Sequence, residues 1–464
     1  MVILPQKISF SMESFSEFIE KHENDDTARL LLSGKIPDNI DAGLAADTIE
    51  VRRKLKKKVP SWYAHPELAF PLKLGAEQCS SEITARYKAA FVHMIFRRIA
   101  DLTGGLGVDS WAFSLAARHV LYNEMNPVLA AAAKANFKAL GADNIQVRSC
   151  RISAKGSSTV MAEESLDEIR EDVPELTPAE LLHGFRPDLV YLDPARRGDD
   201  GSKVFLPEQC SPDIISLKDG LFEVCRFILI KLSPMADISL LLKRLGDSCI
   251  ELHILAAGGE CKEILLLLDR EHHGECSVTV ASHRGNAAAE PEGRFTFRGW
   301  SRMTFGMDEL LAGPEALNPV SPDELSPGAL LYEPGKALMK AGAFNALCRR
   351  FPLKKLGRFT HYYVTDPERA GMDGMPDLDS ATDTLAGFGR FFTIRQVLPL
   401  NRQSIKDIGR NFPKAEVSAR NIKMDTDTLR KKLGVSSGGD IHVFGLSCSF
   451  SDGNANLLIV SEPA

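Results

Sequence analysis

The chain has 464 residues, of which 44% are hydrophobic and 25% are charged, and its formal net charge is −6. This length predicts two to four domains, and the composition excludes a disordered or fibrous protein. No apolar run approaches the length of a membrane span, and residues 1–10 lack the pattern of a secretory signal. Nine cysteines without a C-x-x-C pair favour reduced thiols in a cytoplasmic protein, rather than a zinc ribbon or a disulfide framework.

Helices are predicted for the first 75 residues. Short apolar clusters lie among acidic residues, a helical span follows over residues 45–58, and Pro60, Pro66 and Pro71 interrupt the pattern. From residue 76 to 275 strands and helices alternate, which indicates a mostly parallel sheet covered by helices on both faces. The strands are predicted at 119–124, 144–149, 188–193 and 227–232, after a first strand that ends at Asp101, and a hairpin of 250–257 and 263–268 follows them.

After residue 270 the pattern changes. Short strands at 277–282 and 294–298, set among Gly and Pro, predict a small α+β module, and the remaining residues form another unit that ends in a strand at 457–460. Residues 390–432 contain eleven Lys or Arg and four Asp or Glu, a local charge of +7. This segment is either a solvated helical face or a surface for a phosphate-bearing partner. The candidate contacts are Arg390, Arg395, Arg402, Arg420 and Lys423.

A glycine-rich loop follows the first predicted strand, with Gly104, Gly105 and Gly107 leading into a helix. Glycine allows a tight turn and a close approach to a ligand. In a dinucleotide fingerprint that starts at Gly105, Ser110 would occupy the third glycine position, which is a mismatch. Asp101 before the glycines suits a cofactor with a cationic amino-acid end, so the loop favours S-adenosylmethionine over NAD.

Glu124 ends the second predicted strand, where its carboxylate can accept both hydroxyls of a ribose. Met125 and Asn126 would then flank the adenine. The residues expected to bind the cofactor here are Asp101, Thr103, Gly104, Gly105, Gly107, Asp109, Glu124 and Met125.

The predicted reaction end is Asp193-Pro194-Ala195-Arg196, at the carboxyl edge of the sheet where open α/β folds bind ligands. Asp193 can accept a hydrogen bond from a base amino group or act as a general base. Arg196 and Arg197 can hold a phosphate, or they are solvated arginines of a turn.

Two kinds of base methylation leave different signatures at this position. Methylases of base amino groups usually carry an aromatic residue after D/N-P-P, and Arg196 stands there instead. The string is more similar to the D-P-P-R-x-G of uracil-C5 RNA methyltransferases, whose fifth strand carries a nucleophilic cysteine. The matching Ser233-Pro234 has no thiol, so covalent C5 chemistry is disfavoured.

Four strings together resemble the bacterial class I S-adenosylmethionine-dependent methyltransferases that carry a C-terminal THUMP-like domain. They are residues 77–88 (EQCSSEITARYK), 101–109 (DLTGGLGVD), 191–197 (YLDPARR), and 332–334 (YEP) with 339–344 (MKAGAF). The resemblance implies a Rossmann-like seven-stranded α/β sheet finished by a hairpin, with an N-terminal helical region. It also implies ferredoxin-like and THUMP-like C-terminal modules, an S-adenosylmethionine cofactor and a structured RNA as partner.

The resemblance also suggests that the segment before the loop covers the methionine end of the cofactor. Gln78, Ser81 and Thr84 are the candidates there, although Ser80 or Ser81 fits equally well as a helix cap. The expected domains are a helical region (1–75), a Rossmann-like domain (76–275), a ferredoxin-like module (276–328) and a THUMP-like domain (329–464).

The expected function is therefore methylation of a base in structured RNA, either rRNA or tRNA. A methyltransferase for a small molecule or a protein, and a non-catalytic RNA-binding protein that retains the fold, are the alternatives. The histidines lack metal-ligand spacing, so no metal is expected. No obligate protein partner and no membrane association are expected either.

Overall fold

The computed structural model describes residues 12–72, 74–93, 95–156, 173–195, 210–283, 297–313, 320–365 and 385–464. Arg196 and Arg197, which belong to the predicted reaction end, lie outside these residues. The chain divides into two compact units. The first comprises Met1–Leu252, Glu263–Gly274 and Asn286–Arg298, and the second comprises His253–Lys262, Glu275–Gly285 and Gly299–Ala464.

The first unit alternates helices with short strands, as the sequence pattern predicts. Its helices are α1 (Met12–Lys21), α2 (Thr27–Leu32), α3 (Ala42–Lys58), α4 (Pro60–Tyr63), α5 (Leu74–Gln78), α6 (Glu82–His93), α7 (Val108–Ala116), α8 (Pro127–Ala139), α9 (Pro178–Leu181), α10 (Ile214–Val224) and α11 (Ile238–Leu245). Its strands are β1 (Arg98–Asp101), β2 (His119–Asn123), β3 (Ile145–Arg148), β4 (Arg151–Ile152), β5 (Glu175–Leu176), β6 (Leu189–Leu192) and β7 (Phe227–Leu232). Strands β8 (Cys249–Ala257) and β9 (Glu260–Asp269) form the predicted hairpin.

Two further strands, β10 (Ser277–His283) and β11 (Trp300–Gly306), follow the hairpin. The large sheet has the strand order β11-β10-β8-β9-β7-β6-β1-β2-β3. Strands β3, β2, β1, β6 and β7 are parallel, and β9 is antiparallel to β7. The seven neighbouring strands β8-β9-β7-β6-β1-β2-β3 thus form the predicted α/β sheet finished by a hairpin. Strands β10 and β11 extend it to nine strands.

The prediction of a strand at 294–298 is wrong for Phe297 and Arg298, the two of these residues that the structure describes, because neither lies in a strand. Gly299 has a φ of +79°. This left-handed conformation breaks the extended chain, so β11 begins only at Trp300.

The helices on one side of this sheet share a closely packed aromatic core. Trp62 of α4, Trp111 of α7, Tyr122 of β2 and Phe137 of α8 are all buried in it. Asn126 starts α8 because its side chain accepts hydrogen bonds from the N–H groups of two residues in the first turn. Packing and capping together hold α7 and α8 at the carboxyl ends of β1 and β2. Among the described residues, no helix is both long and apolar enough to cross a bilayer.

The second unit contains a seven-stranded sheet. Its strands are β12 (Leu330–Pro334), β13 (Lys354–Lys355), β14 (Tyr363–Thr365), β15 (Gly389–Pro399), β16 (Glu416–Arg420), β17 (His442–Phe450) and β18 (Gly453–Pro463), in the order β13-β14-β12-β15-β18-β17-β16. Its helices are α12 (Met307–Leu311), α13 (Lys336–Ala341), α14 (Ala346–Arg350), α15 (Arg402–Asn411) and α16 (Thr426–Leu433). Ile408 of α15 and Leu429 of α16 pack on the sheet against Val417 and Val443, which covers one face.

Candidate functional site

The loops after β1, β2 and β6 meet at the carboxyl edge of the large sheet. The N–H of Leu102 donates to the carbonyl of Tyr191, and the N–H of Gly104 donates to the carbonyl of Asn123. The side-chain amide of Asn123 also donates to the carbonyls of Leu102 and Cys150. These bonds bring the glycine loop, the end of β2 and the end of β6 into one site, where a parallel α/β sheet binds its ligands.

The glycines of the loop are required by the packing of the protein itself. A Cβ on Gly104 would lie 2.1 Å from the ring of Tyr122, and a Cβ on Gly107 would lie 2.6 Å from the ring of Phe137. Gly105 and Gly107 have φ values of +51° and +92°, which L side chains rarely adopt. The two aromatic rings therefore lie directly under the loop and hold its turn.

Replacing Gly104 with alanine is expected to lower the free energy of unfolding by about 1–3 kcal/mol, because the buried ring of Tyr122 has to move. Gly220→Ala is the matched control, because a Cβ there would meet its nearest neighbour, Pro178, at 3.6 Å inside α10. That change should be neutral or stabilising. Chemical denaturation of both variants measures the difference, and equal stabilities would contradict this account of the loop.

Glu124 is held by the backbone on both sides of its carboxylate. Oε2 accepts the N–H of Gly105 at 2.8 Å, and Oε1 accepts the N–H of Asn126 at 2.8 Å. Burial raises the pKa of Glu124, and these two N–H groups oppose that rise. A carboxylate offers about four acceptor positions. Each oxygen of Glu124 can therefore accept one further hydrogen bond, as two neighbouring hydroxyl groups would require.

Asp101 lies beneath the loop and is almost completely buried. The hydroxyl of Ser110 donates to its Oδ2 at 2.6 Å, and the N–H of Thr103 donates to its Oδ1 at 3.1 Å. Burial raises the pKa of Asp101 to about 7, although both hydrogen bonds oppose the rise. Both of its oxygens thus brace the loop from inside.

The raised pKa of Asp101 predicts a pH dependence of stability. Between the unfolded pKa, near 3.8, and the folded pKa, near 7, the folded state holds a proton that the unfolded state has lost. Stability should therefore fall as the pH rises through this window, by at most about 1.4 kcal/mol per pH unit, and level off above it. Asp101→Asn, which mimics the neutral form, should remove this component. Denaturant titrations of both proteins from pH 5 to pH 8 test the prediction, and a constant difference between them would contradict it.

Asp193 follows β6 and is fixed from both ends. Its N–H donates to the hydroxyl oxygen of Thr103 at 2.5 Å, and its carboxylate lies 2.5 Å from the ammonium of Lys231 on β7. Ala195 is paired with Ser211 by two backbone hydrogen bonds. Pro194 between them is buried, whereas the carboxylate of Asp193 remains about one third exposed. Asp193 thus presents an oriented anion at the edge of the site.

Lys231 and Asp193 belong to a larger buried ion network. Lys88 on α6 lies 3.2 Å from Asp109 and 2.6 Å from Glu263, and Lys231 lies 3.9 Å from Asp109. Burial alone would raise the pKa of Asp109, but the two lysines outweigh it and lower that pKa. Burial alone would lower the pKa of Lys231, but the three carboxylates outweigh it and raise that pKa. The network joins α6, α7, β7, β9 and the residue that follows β6.

Asp109 lies in the interior of this network and not in the loop. Its Oδ2 accepts the hydroxyls of Ser80 and Tyr191, each at 2.8 Å. Of the candidates before the loop, Gln78 is exposed at the end of α5. The hydroxyl of Ser81 lies 3.2 Å from that of Thr84 and accepts the N–H of Thr84, which is the pattern of a helix cap at the start of α6. Met125 is 44% exposed beside Glu124 and offers an apolar surface there.

Comparison with known proteins supports the fold over nearly the whole chain. A ferredoxin-like domain family matches residues 330–369, and a THUMP domain-like family matches residues 389–463. A crystal structure of a candidate methyltransferase from Porphyromonas gingivalis W83 is 27% identical, with a TM-score of 0.70, and the match covers 97% of this chain and 98% of that one. The chain has the class I methyltransferase fold with a C-terminal THUMP-like domain. The predicted fold class and family resemblance are thus confirmed.

Other structures match only part of the chain. A tRNA m1G37 methyltransferase from M. jannaschii is 14% identical, with a TM-score of 0.25 over 41% of this chain and 49% of that one. A candidate methyltransferase from Streptococcus mutans in complex with SAH is 9% identical, with a TM-score of 0.26 over 39% of this chain and 94% of that one. No curated protein sequence matches the chain. The ferredoxin-like match at 330–369 lies C-terminal to the range predicted for that module, 276–328.

The predicted RNA contacts of the THUMP-like domain fall into two groups. Arg390 pairs with Glu333, and Arg395 pairs with Glu462, so carboxylates already neutralise both arginines. Arg402 at the start of α15, Arg420 at the end of β16 and Lys423 before α16 are exposed. None of these three forms an ion pair with a carboxylate in the described part of the chain. They are the stronger candidates for phosphate contacts.

Lys88, Lys231 and Glu263 belong to the buried ion network and were not predicted from the sequence. Lys231 is the one charged residue of the otherwise apolar strand Phe227–Leu232. A charged residue in an apolar strand is buried only where an opposite charge pairs with it. This pattern could therefore have indicated a buried ion pair. Among the described residues, no group of three or more His, Cys, Asp or Glu side chains is arranged to hold a metal.

Proposed function

We propose that the protein is an S-adenosylmethionine-dependent methyltransferase that acts on a base in structured rRNA or tRNA. The observation that carries the proposal is the Glu124 carboxylate, fixed by Gly105 and Asn126 with one acceptor position left on each oxygen. A ribose diol, which donates two adjacent hydroxyl hydrogens, matches that arrangement. The loop of Gly104 to Gly107, Met125 and the edge near Pro194 would complete the cofactor site.

When bound, the cofactor supplies an electrophilic methyl group. The part of the protein in such a transfer is to orient the nucleophile and to exclude water. Asp193 can accept a hydrogen bond from the nucleophilic group of the base, in an orientation that Thr103 and Lys231 hold. Because the N–H of Asp193 is held by Thr103 and its carboxylate by the ammonium of Lys231, we assign Asp193 to orientation of the nucleophile. Pro194, Ala195 and Arg196 complete the proposed reaction end.

RNA as the substrate is supported by the THUMP-like domain and by Arg402, Arg420 and Lys423, the three predicted contacts that pair with no carboxylate of the described chain. Lys and Arg that neutralise phosphates give binding a salt dependence, with a slope of about −0.7 per contact for single strands and about −0.9 for duplexes. In a variant with all three changed to Gln, the magnitude of this slope should decrease by about two units. The matched control changes Arg390 and Arg395, whose charges are already neutralised, and should lower it by less than one unit.

The direct test is transfer of a radiolabelled methyl group to total RNA from cells that lack the protein. Incorporation into rRNA or tRNA that is lost in Asp193→Ala, while binding of S-adenosylmethionine is retained, is the expected result. Incorporation into protein or small molecules instead would favour the second candidate substrate class. Calorimetry that shows no binding of S-adenosylmethionine to the wild-type protein would reject the enzyme and leave a non-catalytic RNA-binding protein.

A further inference from the structure

A second concave surface lies within the first unit, on the strands β1–β3, and extends along β3 to Arg148, whose carbonyl accepts the N–H of Glu124. Its volume is about 340 Å³. The polar side chains that line it are Arg98, His119, Asn144, Gln146, Arg148 and His183. Arg98, His119 and Asn144 are in register at the start of the three strands or next to it. We call this surface the basic cleft.

The geometry of β3 directs its polar residues into the basic cleft. Gln146 and Arg148 alternate along β3, so their side chains project from the same face of the sheet. The segment after α9, which includes His183 and Phe185, forms the opposite wall. The basic cleft is thus built from regular strands on one side and a fixed turn on the other.

The two arginines of the basic cleft are held by neutral partners. Arg98 donates to the backbone carbonyls of Phe185 and Arg186 and lies over the ring of Phe185. Arg148 donates to the carbonyl of Leu181. Backbone carbonyls fix the direction of a guanidinium without cancelling its charge. The fork of five N–H donors leaves others for a ligand.

No carboxylate is among the described residues that line the basic cleft. The nearby Asp188 accepts the backbone N–H groups of Arg97 and Arg98. In the described part of the chain, neither Arg98 nor Arg148 forms an ion pair with an acidic side chain. Two oriented guanidinium groups, two imidazoles and the amide of Gln146, with no carboxylate among the lining residues, are suited to one kind of ligand, a multivalent oxyanion.

We propose that the basic cleft binds a phosphate group, and specifically a backbone phosphate of RNA. Arginine recognises phosphate through paired N–H donors, and the amide of Gln146 can donate a further hydrogen bond to its oxygens. The amide of Asn144 already donates both of its hydrogens, to the carbonyls of Ser114 and Ala117. A free nucleotide would offer the same phosphate chemistry, so the experiment distinguishes the two sources. The choice of RNA as the source of the phosphate rests on the proposed function, whereas phosphate binding itself does not depend on methyl transfer.

The test uses the full-length protein and a fluorescently labelled 20-nucleotide RNA of mixed sequence, with AMP as the second probe. Arg148→Gln removes one cation from the basic cleft. Gln146→Glu places a carboxylate there at an exposed position, which leaves the hydrogen bonds of both arginines intact. Ala135→Glu, which adds the same carboxylate at an exposed position of α8 that does not line the basic cleft, is the matched control.

Anisotropy titrations between 50 and 200 mM salt measure the slope of the logarithm of the RNA-binding constant against the logarithm of the salt concentration. In Arg148→Gln the magnitude of this slope should be smaller by about 0.7 than in the wild type, as for one lost phosphate contact. The affinity of that variant then falls about 2.6-fold less over this range than the affinity of the wild type. Gln146→Glu should bind the RNA more weakly than the wild type at every salt concentration, and Ala135→Glu should match the wild type.

The outcomes separate the possible ligands. Weaker RNA binding in both cleft variants, with AMP binding absent or unchanged, supports a backbone phosphate. A loss confined to AMP keeps the phosphate chemistry, assigns the site to a free nucleotide and overturns the RNA part of the proposal. Wild-type binding of both probes by both variants overturns the site. Calorimetry with S-adenosylmethionine should give the same affinity in all variants, which separates failure of the basic cleft from failure of the proposed function.

Discussion

Replacing Lys88 with methionine is expected to lower the free energy of unfolding by about 3–5 kcal/mol, because it leaves the buried carboxylates of Asp109 and Glu263 without their shared cation. Lys88 is completely buried, and both carboxylates are nearly so. The desolvation cost of the two anions therefore remains while the attraction that offsets it is lost. Urea denaturation measures the difference.

A surface pair supplies the matched control for Lys88→Met. The ammonium of Lys54 lies 2.6 Å from Glu77, the same separation as between Lys88 and Glu263, but both partners are exposed. Lys54→Met should cost at most about 1 kcal/mol, since water screens exposed pairs. If both lysine variants lose the same stability, burial is not what makes the network important.

A double variant tests whether the loss arises from unpaired charge. Lys88→Met combined with Glu263→Gln removes one cation and one anion together. It should be more stable than Lys88→Met alone, with a coupling energy of at least about 1 kcal/mol. Additive losses would show that the cost comes from the packing of the lysine stem and not from the charges.

Glu124→Gln is expected to weaken binding of S-adenosylmethionine by about 10- to 100-fold. One oxygen of the carboxylate becomes an NH₂ group, which cannot accept the N–H of Gly105 or Asn126 and turns a donor toward it. Hydrogen bonds to a charged acceptor contribute about 1.5–3 kcal/mol, which corresponds to that loss of affinity. Titration calorimetry with S-adenosylmethionine and S-adenosylhomocysteine measures both affinities.

Glu180→Gln controls for the general effect of losing a carboxylate. Glu180 accepts the N–H of Thr177 at 2.8 Å in an exposed capping box of α9, so it makes the same kind of bond outside the site. Its replacement should leave cofactor affinity unchanged. Thermal melts of both variants show whether the fold is retained, and unchanged affinity in a folded Glu124→Gln would remove the main support for the proposed cofactor site.

Much of the fold could be predicted because its signals are local. The apolar strands Leu189–Leu192 and Phe227–Leu232 were predicted within one or two residues, since short apolar runs bounded by polar loops lie in one stretch of sequence. The glycine loop was placed correctly for the same reason. The reason for its glycines was only partly predicted, because the rings of Tyr122 and Phe137 reach it from β2 and α8.

The candidate site was less predictable because charges act through space. Lys88 and Glu263 are separated by 175 positions in the chain, yet their side chains meet at 2.6 Å. Nothing near either residue in the sequence indicates the other. From the sequence, Arg390 and Arg395 were likewise predicted to be available for phosphate. In the structure, the pairing of β12, β15 and β18 places Glu333 and Glu462 beside them.

The sequence by itself determined the alternating α/β pattern, the glycine turn and the acidic residue at the end of β2, because backbone preference and hydrophobic periodicity depend on neighbouring residues. Only the tertiary structure decided which charges are neutralised and which face a ligand. Sheet pairing determines these distances, and the energy of two charges depends on their separation and burial, not on their distance along the chain. Lys88 is thus paired with buried carboxylates, whereas Arg148 is held by a backbone carbonyl and keeps its charge.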